Sequence, residues 1–168
     1  FPIIAAVLSL IYGTALIFNV LKKEQGNEKM REIAQAIQQG ANAYLNRQYK
    51  TVAGVALVLA ILMWVFHFST GTIVGFLIGA VASALAGYIG MNVAVRANVR
   101  VAEAAKHGLA PAFNLAYKGG AVTGFLVVGL ALAAVYGFYQ YSSGDLKALV
   151  SLGFGGSLIS VFARLGGG

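Results

Sequence analysis

The sequence has no cysteine, only two prolines and only five acidic residues among its 168 residues. Without cysteine, these residues can form neither disulfide bonds nor zinc–thiolate sites. Charged residues make up 10% of the sequence, whereas a soluble globular domain has about 25%. Because 59% of the residues are hydrophobic, the polar residues are too few to cover the outside of the protein in water. The composition therefore indicates an integral membrane protein, with the bilayer as its solvent.

The few charges that are present are mostly positive. Twelve Lys and Arg residues against five Asp and Glu give a net charge of +7. Such an excess can indicate nucleic-acid binding. Here, however, the basic residues flank long apolar runs, which is typical of the cytoplasmic loops of membrane proteins. We therefore expect the lipid bilayer as a partner and no nucleic acid.

Long apolar stretches recur along the whole chain. A helix of about 20 residues crosses the roughly 30 Å hydrocarbon core of a bilayer. The pattern predicts an all-α fold, a polytopic transmembrane helical bundle in which residues 1–168 form a single segment with five transmembrane helices. The predicted limits are 2–21, 50–68, 72–95 with a cytoplasmic extension to 105, 119–140 and 146–165.

The segment Glu28–Asn46, before the second predicted span, has apolar residues at three- and four-residue spacing. This spacing fits either a helix on the membrane surface or an extension of the second helix beyond the membrane. We favour the extension, because no proline separates the segment from Tyr49 and the residues after it. In the extension of the third helix, Arg96, Arg100 and Glu103 are predicted to lie on a polar face.

Lysine and arginine are unevenly distributed between the predicted loops. Ten of the twelve fall in the segments 22–51 and 96–119. Because cytoplasmic loops carry the excess of Lys and Arg, these two segments are predicted to be cytoplasmic. The N-terminus is then outside, and the protein is a multi-pass integral membrane protein.

The third predicted helix carries small residues at four-residue spacing: Gly75, Gly79, Ser83 and Gly87. Small residues at this spacing let helices approach closely in lipid. Gly120 and Gly124 are predicted to do the same for the fourth helix. The pattern indicates packing within a protein assembly and says nothing about an activity.

The fifth predicted helix combines small and polar residues with one cation on or near one face: Gly153, Gly156, Ser157, Ser160 and Arg164. An arginine within a membrane is costly and normally faces a carboxylate or a wet cavity. The alternative is an arginine that extends its side chain to the membrane interface. This stripe of small and polar residues favours the interpretation that the helix forms a wall of an ion path. Arg164, Ser157 and Ser160 are then candidate ion-path or coupling residues. The apolar spans contain no acid to pair with Arg164, so its partner is expected outside these residues.

Enzymatic motifs are missing from these residues. The sequence has no Gly-rich loop ending in Gly-Lys-Ser/Thr, no Asp-rich cluster able to hold Mg²⁺ and no Ser–His–Asp set. We therefore assign no catalytic, cofactor-binding or metal-binding residue here. The residues by themselves predict a piece of an ion-handling membrane assembly, and a non-enzymatic scaffold or channel subunit remains an alternative.

Four blocks in a fixed order carry a family resemblance: 35–53, 83–105, 116–124 and 162–168. The second is the most specific, with Gly90-Met91-Asn92 followed by Arg96-Ala97-Asn98-Val99-Arg100. Together they resemble the N-terminal part of the membrane-integral, ion-pumping inorganic pyrophosphatases. The resemblance covers essentially the whole chain.

The resemblance implies a homodimeric pump with about sixteen transmembrane helices, each of roughly 20 residues. It implies hydrolysis of inorganic pyrophosphate with Mg²⁺ as cofactor, K⁺ as a further candidate cofactor, and transport of H⁺ or Na⁺. The location would be a prokaryotic cell membrane or the membrane of a vacuole or other acidic organelle. Arg164 would contribute to charge pairs in the coupling region, and Ser157 would lie near the ion gate. The acids that bind metal and substrate are expected in segments after these residues.

Overall fold

The computed structural model describes the backbone of residues 1–165 and the side chains of residues 1–161. Its regular elements, which are all helices, are α1 (Pro2–Leu21), α2 (Glu28–Val65), α3 (Thr70–Ala105), α4 (Leu109–Tyr141) and α5 (Leu146–Leu165). The all-α prediction is confirmed for this part of the chain.

Four of the helices, α1 to α4, are long and apolar enough to cross a membrane. The apolar part of α5 whose side chains are described, Leu146–Val161, is shorter. Large apolar side chains such as Ile11, Leu57 and Val150 are exposed on the outside of the bundle. In a protein whose solvent is lipid, such a surface needs no polar cover. The polytopic helical bundle is confirmed, while a membrane crossing by α5 stays a prediction.

The second helix is continuous from Glu28 to Val65. It begins there because the side chain of Asn27 caps it: Asn27 Oδ1 accepts a hydrogen bond from the Met30 N–H at 3.0 Å. Its 38 residues rise about 57 Å, far more than a bilayer core requires. The predicted extension of the second helix is therefore confirmed, and a separate helix on the membrane surface is not found.

The same helix ends at Val65, before the predicted limit at residue 68. His67 has a φ of 57°, in the left-handed region. Its N–H donates to the Trp64 carbonyl, and the Phe68 N–H donates to the Met63 carbonyl, both at 3.0 Å. This pair of bonds is a Schellman motif, which satisfies the last carbonyls and turns the chain away from the helix axis.

The two segments predicted as cytoplasmic loops are mostly helical. The turns themselves comprise only residues 22–27 and 106–108. Gly108, with a φ of 117°, precedes α4, which therefore begins at Leu109 rather than near 119. Pro111 lies in the first turn of α4, where a missing N–H removes no helical hydrogen bond. Helices α2, α3 and α4 thus extend well beyond their predicted membrane spans at the basic end of the bundle.

Helix α3 lies at the centre of the bundle and packs against α2, α4 and α5, while α1 packs mainly on α4. One core cluster, Leu16, Ala86, Val93, Val122 and Leu126, joins α1, α3 and α4. A second, built on Ala56, Ala60 and Phe76, joins α2 to α3. The arrangement leaves α5 in contact with α3 on one side and without a close neighbour among α1–α4 on the other.

The small residues of α3 allow its backbone to touch that of α5. A Cβ at Gly79 would collide with the Leu152 carbonyl, and a Cβ at Gly155 would collide with the Phe76 carbonyl. A Cβ at Gly75 would lie 2.6 Å from the Ala148 carbonyl oxygen. The prediction that the glycines of this row serve close helix packing is confirmed at Gly75 and Gly79.

Gly120 and Gly124, the corresponding glycines of α4, contact no other helix among the described residues, so their packing role stays a prediction. Gly120 and Gly124 are exposed, and a Cβ at either would meet nothing within 4 Å. The close contacts of α4 are made instead by Gly119, whose Cβ position lies 3.2 Å from Ala97, and by Gly129, at 2.7 Å from Leu10. Spacing along a helix shows which residues share a face but not which face is buried.

Candidate functional site

Helix α5 carries the predicted ion-path residues, and its first turn fixes where it starts. Asp145 Oδ1 accepts a hydrogen bond from the Lys147 N–H at 2.9 Å, so that Asp145 caps the helix. One face of α5 is buried against its neighbours, and its members are Ala148, Ser151, Leu152, Gly155 and Ile159. Their spacing of three and four residues is that of a single helical face.

Ser151 is the polar member of this buried face. Its Oγ donates to the backbone carbonyl of Thr72 at 2.7 Å. The bond satisfies a hydroxyl in apolar surroundings and ties α5 to α3 where the two backbones are closest. No role was predicted for Ser151 from the sequence. The available signal was its spacing from Ala148 and Gly155, which places it on the packed face.

The predicted stripe of small and polar residues lies on the side of α5 away from its buried face, with Gly156 at its edge. Gly153, Ser157 and Ser160 are exposed, and no helix in the described part of the chain covers them. Gly156 instead packs towards α3, because its Cβ position lies 3.6 Å from the Gly79 carbonyl oxygen. Each residue turns a helix by about 100°, so Gly156 lies between Ser160 and the face that packs on α3. The two serines remain together, and Gly156 borders their face.

Arg164 is the third candidate on this helix. The backbone of α5 continues to Leu165, but the side chain of Arg164 lies outside the described residues. The same holds for all of residues 166–168, the last part of the fourth sequence block. The predicted charge pairing of Arg164 therefore stays a prediction.

The structure reveals a second polar centre, which lies at the basic end of the bundle. Arg100 is only 6% exposed, so the polar face predicted for α3 is buried at this residue. Its Nη2 donates to the Leu21 carbonyl at 2.9 Å, and its Nε donates to the Lys23 carbonyl at 3.1 Å. The last carbonyls of a helix lack partners within it and form the negative end of its dipole. Arg100 thus caps α1 from a neighbouring helix.

One further hydrogen bond positions this guanidinium, and a second lies beside it. Its Nη1 donates to the Arg96 carbonyl at 2.6 Å, and Arg96 Nη1 in turn donates to Asn92 Oδ1 at 3.2 Å. Burial lowers the pKa of Arg100, which lies beyond the apolar part of α3, and the charge of Arg96 adds to the effect. The group still carries its charge at neutral pH, since arginine ordinarily titrates above about pH 12. No charge pattern in the sequence marks Arg100 as buried, because its partners are backbone carbonyls.

Glu103 lies one turn after Arg100 on the same helix. Glu103 is largely buried, and its Oε2 forms an ion pair with Lys106 Nζ at 2.5 Å. Among the residues that the structure describes, no group of three or more His, Cys, Asp or Glu side chains could hold a metal ion. The centre can therefore fix helix ends, but it offers no metal-binding set.

The chain matches a protein-family model described as inorganic H⁺ pyrophosphatase over residues 7–168. It is 47% identical, over 98% of this chain and 25% of the relative, to the K(+)-insensitive pyrophosphate-energized proton pump of Methanosarcina mazei. It is 44% identical, over 100% of this chain and 26% of the relative, to the K(+)-insensitive pyrophosphate-energized proton pump 2 of Moorella thermoacetica. A putative K(+)-stimulated pyrophosphate-energized sodium pump from Clostridium tetani is 40% identical over 100% of this chain and 25% of its own length.

The chain thus spans about a quarter of the length of these curated relatives. The family match includes most of α1 and the whole of α2 to α5, with the Asn92–Arg100 region that carries the most specific sequence block. The resemblance noted in the four blocks is confirmed. With a match over most of its residues, the chain belongs to the inorganic H⁺ pyrophosphatase family.

Proposed function

We propose that the chain is the N-terminal part of a membrane pump that couples hydrolysis of inorganic pyrophosphate to transport of H⁺ or Na⁺. The observation that carries this proposal is the match of almost the entire chain to relatives named as pyrophosphate-energised pumps. Two of these relatives are named as proton pumps and one as a putative sodium pump, so both ions remain candidates. None of the three is named as a scaffold or channel, the alternative considered for the residues alone.

Hydrolysis belongs, in this proposal, to the part of the pump that follows these residues. Within the described range, no cluster of three or more metal-binding side chains occurs. These residues therefore do not fit a Mg²⁺ site. We assign the requirement for Mg²⁺, and any dependence on K⁺, to other segments of the full-length protein, which would act as a homodimer.

The contribution of this chain would be a wall of the ion path. Ser157 and Ser160 lie on a face of α5 that α1 to α4 leave uncovered. Polar groups at membrane depth are usually turned towards other helices or a water-filled cavity. This supports a role for Ser157, Ser160 and Arg164 in ion passage or coupling, with later helices of the pump closing the path.

The orientation proposed for the pump follows from its basic residues. The turns 22–27 and 106–108, together with the helical extensions beside them, hold most of the lysines and arginines. This supports a cytoplasmic location for that end and an N-terminus on the outside. The membrane would be a prokaryotic cell membrane or that of a vacuole or other acidic organelle.

The proposal is tested by reconstituting the full-length protein in sealed lipid vesicles. Addition of pyrophosphate with Mg²⁺ should release phosphate and drive uptake of H⁺, seen with a pH-sensitive dye, or of radioactive Na⁺. An ionophore for the transported ion should abolish the uptake and spare hydrolysis. Absence of pyrophosphate hydrolysis would refute the proposed enzymatic activity. Hydrolysis without uptake of either ion would refute the proposed ion transport.

The proposed coupling residues are tested in the same vesicles with Arg164→Ala. Removing a charge held by specific partners is expected to lower ion uptake at least about tenfold. The thermal unfolding temperature should stay near that of the unsubstituted protein. Arg47→Ala, which removes an exposed arginine of α2, serves as the matched control. Normal uptake by the Arg164 variant would reduce Arg164 to an anchor at the membrane interface.

A further inference from the structure

A groove of about 470 Å³ runs along the seam between α1 and α4, towards the basic end of the bundle. Apolar and aromatic side chains form most of its lining, among them Leu16 and Ala121. Tyr12 and Phe125 make one wall, with their rings edge to face and their centroids 4.7 Å apart. The volume falls in the range of roughly 300–1,000 Å³ that is usual for small-molecule sites.

Polar side chains stand among apolar ones in the part of this groove nearest the basic end, where Ala110 and Phe113 also line it. Asn114, Tyr117 and Lys118 contribute to its lining there. Tyr117 is 70% exposed, and no helix in the described part of the chain covers it. Tyrosine and lysine together are characteristic of the level at which lipid headgroups meet acyl chains.

The depth of the groove agrees with that level. Leu16, in the groove, lies six residues before Lys22, the first residue after α1. Six residues of helix rise about 9 Å, so the groove reaches from the apolar part of α1 almost to its basic end. A molecule seated here would have its apolar portion beside the membrane core and its polar portion beside the lysines.

The same corner of the bundle carries further positive charge. A neighbouring cavity of about 410 Å³ is lined by residues that include Lys22, Lys23 and His107, together with the carboxylates of Glu24 and Glu103. Glu103 is already paired with an ammonium group. The remaining charge favours an anion, since lysines clustered at the cytoplasmic end of membrane helices attract acidic lipid headgroups.

We propose that the groove binds an anionic phospholipid from the leaflet at the basic end, with an acyl chain along the Tyr12–Phe125 wall and its phosphate beside Lys118. Charge complementarity selects this occupant over an uncharged lipid. The proposal goes beyond the pump function and does not depend on it, because lipid binding is measured without pyrophosphate.

The test uses the full-length protein, purified and stripped of lipid in detergent. Phosphatidylglycerol or phosphatidylcholine with identical acyl chains is added, and native mass spectrometry counts the bound molecules. Phosphatidylglycerol should be retained about fivefold better than phosphatidylcholine, and Lys118→Gln should remove that preference. Ala121→Leu should lower retention of both lipids by narrowing the groove. Lys50→Gln and Ala131→Leu change exposed residues outside the groove and should behave like the unsubstituted protein.

Three results would overturn the proposal. Equal retention of the two lipids would show that headgroup charge plays no part. Retention of neither lipid would indicate that another segment of the protein fills the groove. Displacement of phosphatidylglycerol by millimolar inorganic phosphate would identify a site for soluble anions instead. If Lys118→Gln unfolds, the comparison of Ala121→Leu with Ala131→Leu still decides whether the lipid occupies this groove.

Discussion

At the scale of single residues, the structure satisfies buried polar groups with backbone carbonyls rather than with acidic side chains. Arg100 binds the carbonyls of Leu21, Lys23 and Arg96, and Ser151 binds that of Thr72. The sequence has only five acidic residues, so few carboxylates are available for such roles. Helix ends supply carbonyls that lack intrahelical partners, and these accept bonds from a cation without bringing a second buried charge.

The role of Arg100 predicts a loss of stability on substitution. Arg100→Ala removes three hydrogen bonds and leaves the end of α1 uncapped, which should cost about 2–3 kcal/mol of unfolding free energy. The thermal unfolding temperature of the full-length protein in detergent measures the effect. Arg47→Ala, at an exposed position on α2, should change it little. Equal unfolding temperatures for the two variants would mean that Arg100 does not hold α1.

At the scale of helices, α3 and α5 are held together by contact between their backbones. The glycines at 75, 79 and 155 bring carbonyl groups of the partner helix to where a Cβ would otherwise lie. In lipid, hydrophobic burial does not drive helices together, so such close packing and the Ser151–Thr72 hydrogen bond carry the association. The contact also determines which side of α5 faces away, and with it the position of Ser157 and Ser160.

Two alanine substitutions should separate packed glycines from free ones. Gly79→Ala places a methyl group against the Leu152 carbonyl, and the overpacking should cost about 1–3 kcal/mol or prevent assembly. Gly40→Ala, in the extension of α2, meets nothing within 4 Å and should be neutral or stabilise α2 by up to about 1 kcal/mol. The thermal unfolding temperatures of the two variants are compared, with size-exclusion chromatography as the readout. Similar unfolding temperatures would contradict a backbone contact at Gly79.

At the scale of the whole molecule, the described helices carry most of their basic residues at one end. Helices α2, α3 and α4 extend beyond the apolar region at that end, and Arg100 joins α3 to the end of α1. The opposite end is closed by short turns after α2 and α4, where His67 and Ser143 adopt left-handed conformations. This asymmetry is what the distribution of lysine and arginine predicted, and it supports a fixed orientation in the membrane.

The orientation is testable with single cysteines, since these residues contain none of their own. In the full-length protein with any other cysteines replaced, Gln140→Cys marks the outer end of α4 and His107→Cys the inner turn. Both positions are exposed. A membrane-impermeant maleimide added to intact cells should label Gln140→Cys at once and His107→Cys only after permeabilisation. The reverse pattern would place the N-terminus inside.

Much of the helix content could be predicted from the sequence, and the limits of the helices less well. The spans 2–21 and 146–165 coincide with α1 and α5, because a turn borders each apolar run. The start of α4 near residue 119 was misplaced, since the helix continues through polar residues that a hydropathy pattern cannot assign. The end of α2 differs from the predicted limit because it depends on the left-handed conformation of His67. The periodicity of apolar residues does not predict that conformation.

Composition and periodicity alone determined that this is a helical membrane protein with a basic end, and ordered blocks of residues pointed to its family. These properties are local, because they follow from the length of an apolar run and the residues beside it. Which faces are buried was decided only by the tertiary structure. It left Gly120 and Gly124 exposed on the described helices, packed Gly79 against α5 and buried Arg100 against α1. The rotation of each helix about its axis, and the carbonyl groups that its side chains bind, depend on the neighbouring helices. The spacing of residues within one helix therefore does not predict them.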